Sequence, residues 1–179
     1  MQTLRSRIVY QNRWMTVRED AIRRADGSDG IFGVVEKPEA ALVIPIESGR
    51  VYMVEQYKYA AGARFWEFPQ GTWEQASGYT VEDLARGELR EETGLVAREL
   101  HCLGRIHVAY GFLAQSLHVF VATGLTQLDP TPEPEEQDIV RSSFTWEEFY
   151  QMVDSGQIAD AQTLAALSLL RLKRPELVG

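Results

Sequence analysis

A helix between Thr80 and Gly94 is the clearest element that the pattern of apolar and polar positions predicts. Thr80 is a good N-cap residue, and Asp83 lies three residues further on, so the start approximates a capping box. Gly94 suits the left-handed position that ends many helices. At about 100° per residue one side of this helix carries an apolar stripe, which consists of Val81, Leu84 and Ala85. We therefore predict an amphipathic helix with the stripe against the core.

Acidic side chains continue the same stripe. Glu88 and Glu92 fall on it, and Glu91 lies at its border. An i, i+4 pair of carboxylates repels by roughly a few tenths of a kcal/mol on an open surface, and by more as the effective dielectric constant falls. Three interpretations stay open: the carboxylates take up protons, they hold a hard divalent cation such as Mg²⁺, or the helix is a solvated helix of mixed charge.

The remaining elements are predicted from shorter patterns. The unbroken apolar run at residues 40–46 is typical of a central strand that is buried on both faces, and residues 47–50 form a turn after it. Prolines and acidic residues make residues 129–138 unsuitable for helix or strand. Further strands are predicted within residues 7–38, 51–57, 99–107 and 117–121, and further helices at residues 146–153 and 160–172.

Composition narrows the classes of function. The 179 residues suffice for a domain with a sizeable core. A formal net charge of −8 argues against nucleic-acid binding, although bound metal lets an acidic protein accept a phosphorylated substrate. No apolar run reaches the roughly 18 residues that cross a bilayer, so we expect no membrane contact. The single cysteine, Cys102, excludes an internal disulfide and favours a reducing cytoplasm. The three histidines lack ligand spacing and are interpreted as structural: His101, His107 and His118.

Residues 88–95 resemble the end of the Nudix box. The family's pattern there is Glu-aliphatic-x-Glu-Glu-x-Gly-aliphatic, and this chain has Glu-Leu-Arg-Glu-Glu-Thr-Gly-Leu. Upstream, residues 67–71 are Glu-Phe-Pro-Gln-Gly, which is similar to the Glu-Leu-Pro-x-Gly lead-in of the ADP-ribose and nucleotide-sugar pyrophosphatases of that family. The resemblance extends over roughly residues 35–172.

The chain departs from the family's pattern at two positions of the box. Gly87 stands where the family has Arg, and Ser77 stands where it has a further Glu. The loop is also longer than usual, so Glu74 and Glu82 are displaced candidates for that glutamate. The family's Arg and Glu tend to pair with each other. Because this chain lacks both, neither charge is left without its partner. In a helix, Gly87 costs up to about 1 kcal/mol relative to Ala.

The resemblance implies a metal site and a general base. The implied ligands of Mg²⁺, with Mn²⁺ as the alternative ion, are the carbonyl of Gly71 and the carboxylates of Glu88, Glu91 and Glu92. Residues 135–139 are similar to the family's Glu-x-Glu-Asp-Ile stretch, where Glu135 is the favoured base and Glu136 the second candidate. Glu92 is implied as a further catalytic residue. In the other interpretation, the acidic stretch is a solvated loop.

Five more residues are implied contacts of the substrate. Lys58 takes the arginine position in a strand end that resembles Glu-Gln-Tyr-Arg-Tyr; as a point charge it suits a phosphate, whereas a strand-end lysine in water is equally common. Trp14 matches an aromatic position that stacks a base, whereas core packing is the commoner role of a strand tryptophan. The other three are Glu67 of the lead-in, Tyr110 at the proline position of a Ser-Pro-Gly loop, and Gln115, which stands where some relatives have glutamate.

The resemblance implies an α+β fold, with a Nudix-type α/β/α sandwich around a mixed β-sheet. We expect residues 1–38 to form an N-terminal β subdomain and residues 39–179 to form the Nudix hydrolase domain. In the resembled dimers the N-terminal segment crosses to the other subunit and helps to close the active site. We therefore expect a homodimer.

The implied activity is Mg²⁺-dependent pyrophosphohydrolysis of a nucleoside diphosphate sugar. ADP-ribose or GDP-mannose is the expected type of substrate, and the products are a nucleoside monophosphate and a sugar phosphate. Such hydrolysis needs neutralised phosphoryl charge, a positioned water and a base. One alternative is a dinucleoside polyphosphate hydrolase, which Tyr110 favours. The other is a non-catalytic module that senses nucleotides, which Gly87 and Ser77 favour.

Overall fold

A computed structural model of the chain describes residues 1–72, 78–128 and 138–179. Two mixed sheets and three α-helices account for most of these residues. The elements are β1 (Gln2–Gln11), β2 (Thr16–Arg23), β3 (Asp29–Glu36), β4 (Ala40–Glu47), β5 (Arg50–Lys58), β6 (Ala63–Glu67), β7 (Gln70–Gly71), α1 (Val81–Thr93), β8 (Leu95–His107), β9 (Leu113–Ala114), β10 (Ser116–Gln127), β11 (Val140–Thr145), α2 (Trp146–Asp154) and α3 (Ala161–Lys173), followed by a 3-10 turn at Pro175–Leu177.

The N-terminal sheet has four strands in the order β1-β2-β3-β9. β1 and β3 pair antiparallel with β2, and the short β9 pairs parallel with β3. The strands begin at Gln2, although the sequence predicted them only from residue 7. All ten residues of β1 are exposed. The strand therefore lacks the alternation of buried and exposed positions from which a strand is predicted. The division of the chain at residue 38 stays a prediction.

The second sheet has seven strands, with β11-β5-β4-β10-β8 in order and with β6 and β7 beside β5 and β4. β4 pairs parallel with β10 and antiparallel with β5. One face of β4 packs in a core with α2 and α3 that contains Ala40, Leu42, Ile44, Phe149 and Leu170. The other face packs against α1 in a core that contains Ala41, Val43, Leu84, Ala85 and Leu89. The predicted α/β/α sandwich around a mixed sheet is therefore confirmed.

The predicted capping signals of α1 are all present. The Thr80 hydroxyl oxygen accepts a hydrogen bond from the Asp83 amide at 3.1 Å, and the Asp83 carboxylate accepts one from the Thr80 amide at 2.9 Å. Gly94 ends the helix in the left-handed region, with φ 75° and ψ 6°. Local sequence thus fixes both ends of this helix.

The two later helices follow the predictions, whereas the later strands depart from them: β10 runs to Gln127 and not to residue 121, and β9 and β11 were not predicted. Thr145 caps α2 through a second capping box, and Asp160 caps α3. β8 begins at Leu95, directly after the end of α1, whereas residue 99 was predicted. Residues 95–97 are all apolar and so show no strand-like alternation in the sequence. In the described part of the chain, no helix has the length and apolar character that crossing a membrane requires.

Candidate active site

The acidic stripe of α1 faces inward. Glu88 is 5% exposed and Glu92 is 1% exposed, while Glu91 is partly buried. The interpretation of α1 as a solvated helix is therefore wrong for Glu88 and Glu92. Two carboxylates one helical turn apart, both withdrawn from water, need hydrogen-bond donors or a cation close by.

Gly71 lies directly against the carboxylate of Glu88. A Cβ atom added to Gly71 would be 2.5 Å from each Glu88 carboxylate oxygen and 2.6 Å from Cδ. Gly71 is held in place by β7, which pairs with β4 through Gly71 and Ala41. Only glycine allows this close approach of a backbone to a side chain. The first helix glutamate and the glycine of the lead-in, far apart in sequence, are thus in contact.

Glu92 receives hydrogen bonds from three strands outside its helix. Its Oε2 accepts from the Gln70 amide at 3.0 Å, and its Oε1 accepts from Gln56 Nε2 at 3.5 Å. Its backbone carbonyl accepts from Nε of Arg141 on β11. Both the side chain and the backbone of Glu92 are therefore fixed from β5, β7 and β11.

Glu67 is a third buried carboxylate beside this site, at 2% exposed. Its Oε1 forms an ion pair with Lys58 and accepts from Gln56 Nε2 at 3.0 Å, and its Oε2 accepts from Gln70 Nε2 at 3.1 Å. Burial raises the pKa of Glu67 above its ordinary value, and the positive charge of Lys58 opposes that rise. Glu67 and Lys58, both implied as substrate contacts, thus bind each other.

The oxygen atoms of this site suit a hard divalent cation. Across residues 1–72, 78–128 and 138–179, no three His, Cys, Asp or Glu side chains converge closely enough to form a complete metal cage. Carboxylate oxygens at Glu88 and Glu92, beside the backbone of Gly71, match the few protein ligands that Mg²⁺ takes when water and substrate phosphates complete its shell. The residues present therefore fit Mg²⁺ or Mn²⁺.

Comparison with known proteins decides the family. A model of the NUDIX domain matches residues 36–167, and a model of the nucleoside diphosphate sugar hydrolase N-terminal domain matches residues 1–35. The chain belongs to the Nudix hydrolase family. Members of this family generally use divalent metal ions, in agreement with the oxygen ligands at this site.

This Nudix hydrolase has curated relatives along most of its length. It is 30% identical over 168 residues to an ADP-ribose pyrophosphatase of Mycobacterium tuberculosis, and this alignment covers 93% of the chain and 81% of that protein. It is 27% identical over 174 residues to an ADP-ribose pyrophosphatase of Bacillus subtilis, and this alignment covers 96% of the chain and 93% of that protein. The crystal structure of an ADP compounds hydrolase superposes with a TM-score of 0.84 at 20% identity, covering 96% of the chain and 92% of that structure, and so has the same fold.

The other implied substrate contacts of the Nudix hydrolase are spread over its surface and interior. Trp14 is 49% exposed, and the guanidinium carbon of Arg13 lies 4.2 Å from its ring centroid, so Trp14 is not a core residue. Tyr110 is 86% exposed in the turn between β8 and β9. Gln115 is buried and donates a hydrogen bond to the Pro38 carbonyl at 2.9 Å. Their roles toward substrate stay predictions.

Several residues considered in the sequence lie outside the part of the chain that the structure describes: Glu74, Ser77, Glu135 and Glu136. On either side of residues 129–137, the described residues bind the end of α1 and β6. Leu128 donates a backbone hydrogen bond to the Gly94 carbonyl at 2.7 Å, just past the last turn of α1. On the other side, Asp138 accepts from Arg64 Nη1 at 2.7 Å.

Three residues of the site were missed by reasoning from the sequence: Gln56, Gln70 and Arg141. Gln56 and Gln70 belong to stretches that the family resemblance had already marked, and both are polar residues at strands that lead into a buried region. That polarity is the signal that points to them. Arg141 carries no such mark, because only the pairing of β11 with β5 brings it to α1.

Proposed function

We propose that this Nudix hydrolase cleaves the diphosphate of a nucleoside diphosphate sugar of the ADP-ribose type in an Mg²⁺-dependent reaction. The observation that carries the proposal is the pair of buried carboxylates, Glu88 and Glu92, with Glu88 in contact with Gly71. The choice of substrate is supported by the two relatives that are ADP-ribose pyrophosphatases and extend over almost the whole chain. The products are a nucleoside monophosphate and a sugar phosphate.

Four residues are proposed to hold the cation: the carbonyl of Gly71 and the carboxylates of Glu88, Glu91 and Glu92. A bound divalent cation neutralises phosphoryl charge and makes a nearby water more acidic. Burial of Glu88 and Glu92 strengthens their interaction with any charge beside them, because the local dielectric constant is low. The net charge of −8 is no obstacle, since the substrate phosphates are presented to the cation.

Glu135 is proposed as the general base, with Glu136 as the second candidate. The base takes a proton from the attacking water, whose oxygen bonds to one phosphorus while the bond from that phosphorus to the bridging oxygen breaks. The bridging oxygen leaves with the other phosphate. Support comes from the described neighbours of residues 129–137, since Leu128 binds the Gly94 carbonyl and Arg141 binds the Glu92 carbonyl.

The proposed substrate contacts differ in what the structure offers them. Lys58 places its charge at the edge of the site, where it is shared with Glu67. Trp14 offers a half-exposed indole ring that suits stacking on a base. Glu67, Tyr110 and Gln115 complete the proposed set. Tyr110 is exposed, whereas Glu67 and Gln115 are buried and are proposed to act on the substrate through their neighbours.

We also propose a homodimer built on the N-terminal sheet, in a reducing cytoplasm. The sheet exposes large apolar side chains, with Ile8 at 61%, Ile31 at 70% and Phe32 at 39%. Large exposed apolar side chains are typical of surfaces that bind a partner. A dimer of this kind covers these residues with the second subunit.

A dinucleoside polyphosphate is the second candidate substrate, and the exposed ring of Tyr110 favours it because it is free to stack on a second base. GDP-mannose stays the alternative among the nucleotide sugars. A screen of both classes with Mg²⁺, with products separated by chromatography, distinguishes them. ADP-ribose is expected to give AMP and ribose phosphate.

Glu92→Gln is the variant that tests the site. The exchange keeps the shape of the side chain and removes its charge, so kcat is expected to fall by about 10³-fold while the protein stays folded. Glu147→Gln is the matched control, because Glu147 is an exposed glutamate of α2. Wild-type turnover by Glu92→Gln would contradict the proposed metal site.

A further inference from the structure

We propose that Gln56 is a positioning residue for hydrolysis, because its side-chain amide bridges the Glu67 and Glu92 carboxylates and so fixes the orientation of Glu92. The inference rests on the proposed function, since it concerns how a proposed metal ligand is held. Gln56 itself touches neither the reacting atoms nor, in the proposed scheme, the cation.

The bridge uses both hydrogens of a single amide group. Gln56 Nε2 lies 3.0 Å from Glu67 Oε1 and 3.5 Å from Glu92 Oε1. A glutamine NH₂ group has two N–H donors, one for each carboxylate. The second distance is at the long end for a hydrogen bond. Because the bond to Glu92 is the longer of the two, its length and direction depend on how firmly Glu67 holds the Gln56 amide.

Glu67 is well placed to hold it. The ion pair with Lys58 and the bond from Gln70 Nε2 at 3.1 Å occupy the Glu67 carboxylate from two further sides. The backbones are fixed as well, because β5 and β6 are paired strands in which Gln56 lies opposite Phe65 and Glu67 opposite Val54. Glu67 thus serves as a rigid support for the amide of Gln56.

The result is that each carboxylate oxygen of Glu92 has a donor from outside α1. Oε1 accepts from Gln56, and Oε2 accepts from the Gln70 backbone amide at 3.0 Å. A carboxylate oxygen accepts about two hydrogen bonds or metal contacts, so a donor on each oxygen is compatible with binding of a cation. Hydrogen bonds of this kind to metal-binding carboxylates commonly change metal affinity by about 10-fold to 100-fold when they are removed.

Two methionine substitutions separate the contact with Glu92 from the contact with Glu67. Gln56→Met keeps an unbranched side chain of similar length and removes the donors to both carboxylates. Gln70→Met removes only the donor to Glu67, because Glu92 is bound by the Gln70 backbone amide, which survives the exchange. The two variants are otherwise equivalent in chemistry.

The readout is the dissociation constant for Mn²⁺, measured by electron paramagnetic resonance of the free ion in the absence of substrate. Melting temperatures in EDTA give the effect on folding alone. We expect Gln56→Met to bind Mn²⁺ about 10-fold more weakly, and Gln70→Met to lose less affinity, because it weakens the support at Glu67 while both donors to Glu92 remain. We also expect Gln56→Met to lower kcat more than it changes KM, because the substrate contacts remain.

Two results would overturn the inference. One is a Gln56→Met protein that melts at a lower temperature in EDTA yet binds Mn²⁺ like wild type, which would make Gln56 a purely structural residue. The other is an equal loss of Mn²⁺ affinity in both variants, which would assign the effect to Glu67. If instead wild type and Glu92→Gln bind Mn²⁺ alike, the proposed metal site itself fails.

Discussion

A methyl group at Gly71 would occupy the space that the Glu88 carboxylate fills. The added Cβ would lie 2.5 Å from both carboxylate oxygens, and an ordinary contact begins at 3.4 Å, so the carboxylate must move by about 0.9 Å. Gly71 has no positive φ, and alanine can therefore adopt its backbone conformation without strain. The three atoms nearest to the added Cβ all belong to Glu88, so the main effect of Gly71→Ala is expected at this carboxylate.

The expected losses in stability and in function differ in size. Overpacking a buried site commonly costs about 1–3 kcal/mol, and alanine recovers about 0.5–1 kcal/mol over glycine in a strand, so the net loss is no more than about 2.5 kcal/mol. For a chain of this length that lowers Tm by less than about 10 °C. A displacement near 1 Å of a group that organises a reaction lowers the rate by about 10²-fold. Function is expected to suffer well before folding.

Mn²⁺ titration, Mg²⁺-supported hydrolysis and thermal melting of Gly71→Ala measure these effects separately. Gly33→Ala is the matched control, because its added Cβ meets no atom within 4 Å and its φ is also not positive. We expect Gly33→Ala to bind Mn²⁺ like wild type. A Gly71→Ala protein with wild-type affinity and wild-type kcat would show that the contact between Gly71 and Glu88 is not part of the metal site.

Two further predictions concern folding. Thr80→Ala and Thr145→Ala each remove the hydroxyl of a capping box and are expected to lower the free energy of unfolding in urea by about 1 kcal/mol; an unchanged midpoint for either would contradict the capping role. For Glu67, burial raises the pKa above the ordinary 4.5, so the folded chain keeps a proton that the unfolded chain loses, and stability falls as pH rises from 4.5 through the raised pKa. Glu67→Gln is expected to lose this dependence, and parallel pH profiles of urea midpoints in the two proteins would refute it.

The sequence predicts the elements whose signals are local. Thr80, Asp83 and Gly94 determine the ends of α1, and the structure has all three in their capping roles. The inward direction of Glu88 and Glu92 follows from the period of the helix, and their burial confirms it. Both predictions use only residues that lie within a few helical turns of one another in the sequence.

Features that depend on pairing between residues far apart in the sequence could not be predicted from the sequence. The fully exposed β1 has no hydrophobic pattern, and the parallel pairing of β9 with β3 joins Leu113 to Val35 without any local mark. In the site, the same limit applies to the bridge at Gln56, which exists only because β5, β6 and α1 converge. Gln115 is a similar case, since its amide is used by the Pro38 carbonyl, a partner that sequence spacing does not suggest.

The C-terminal end of α1 is held by strands that have no part in the helix itself. The carbonyls of Glu92, Thr93 and Gly94 accept hydrogen bonds from the Arg141 side chain, the Gln127 side chain and the Leu128 amide, respectively. These donors lie on the two sides of residues 129–137. Insertions, deletions or exchanges within those residues, apart from the proposed base, can therefore accumulate during evolution without shifting the helix. Such a protein is free to vary the rest of this segment while the carboxylates of α1 keep their positions.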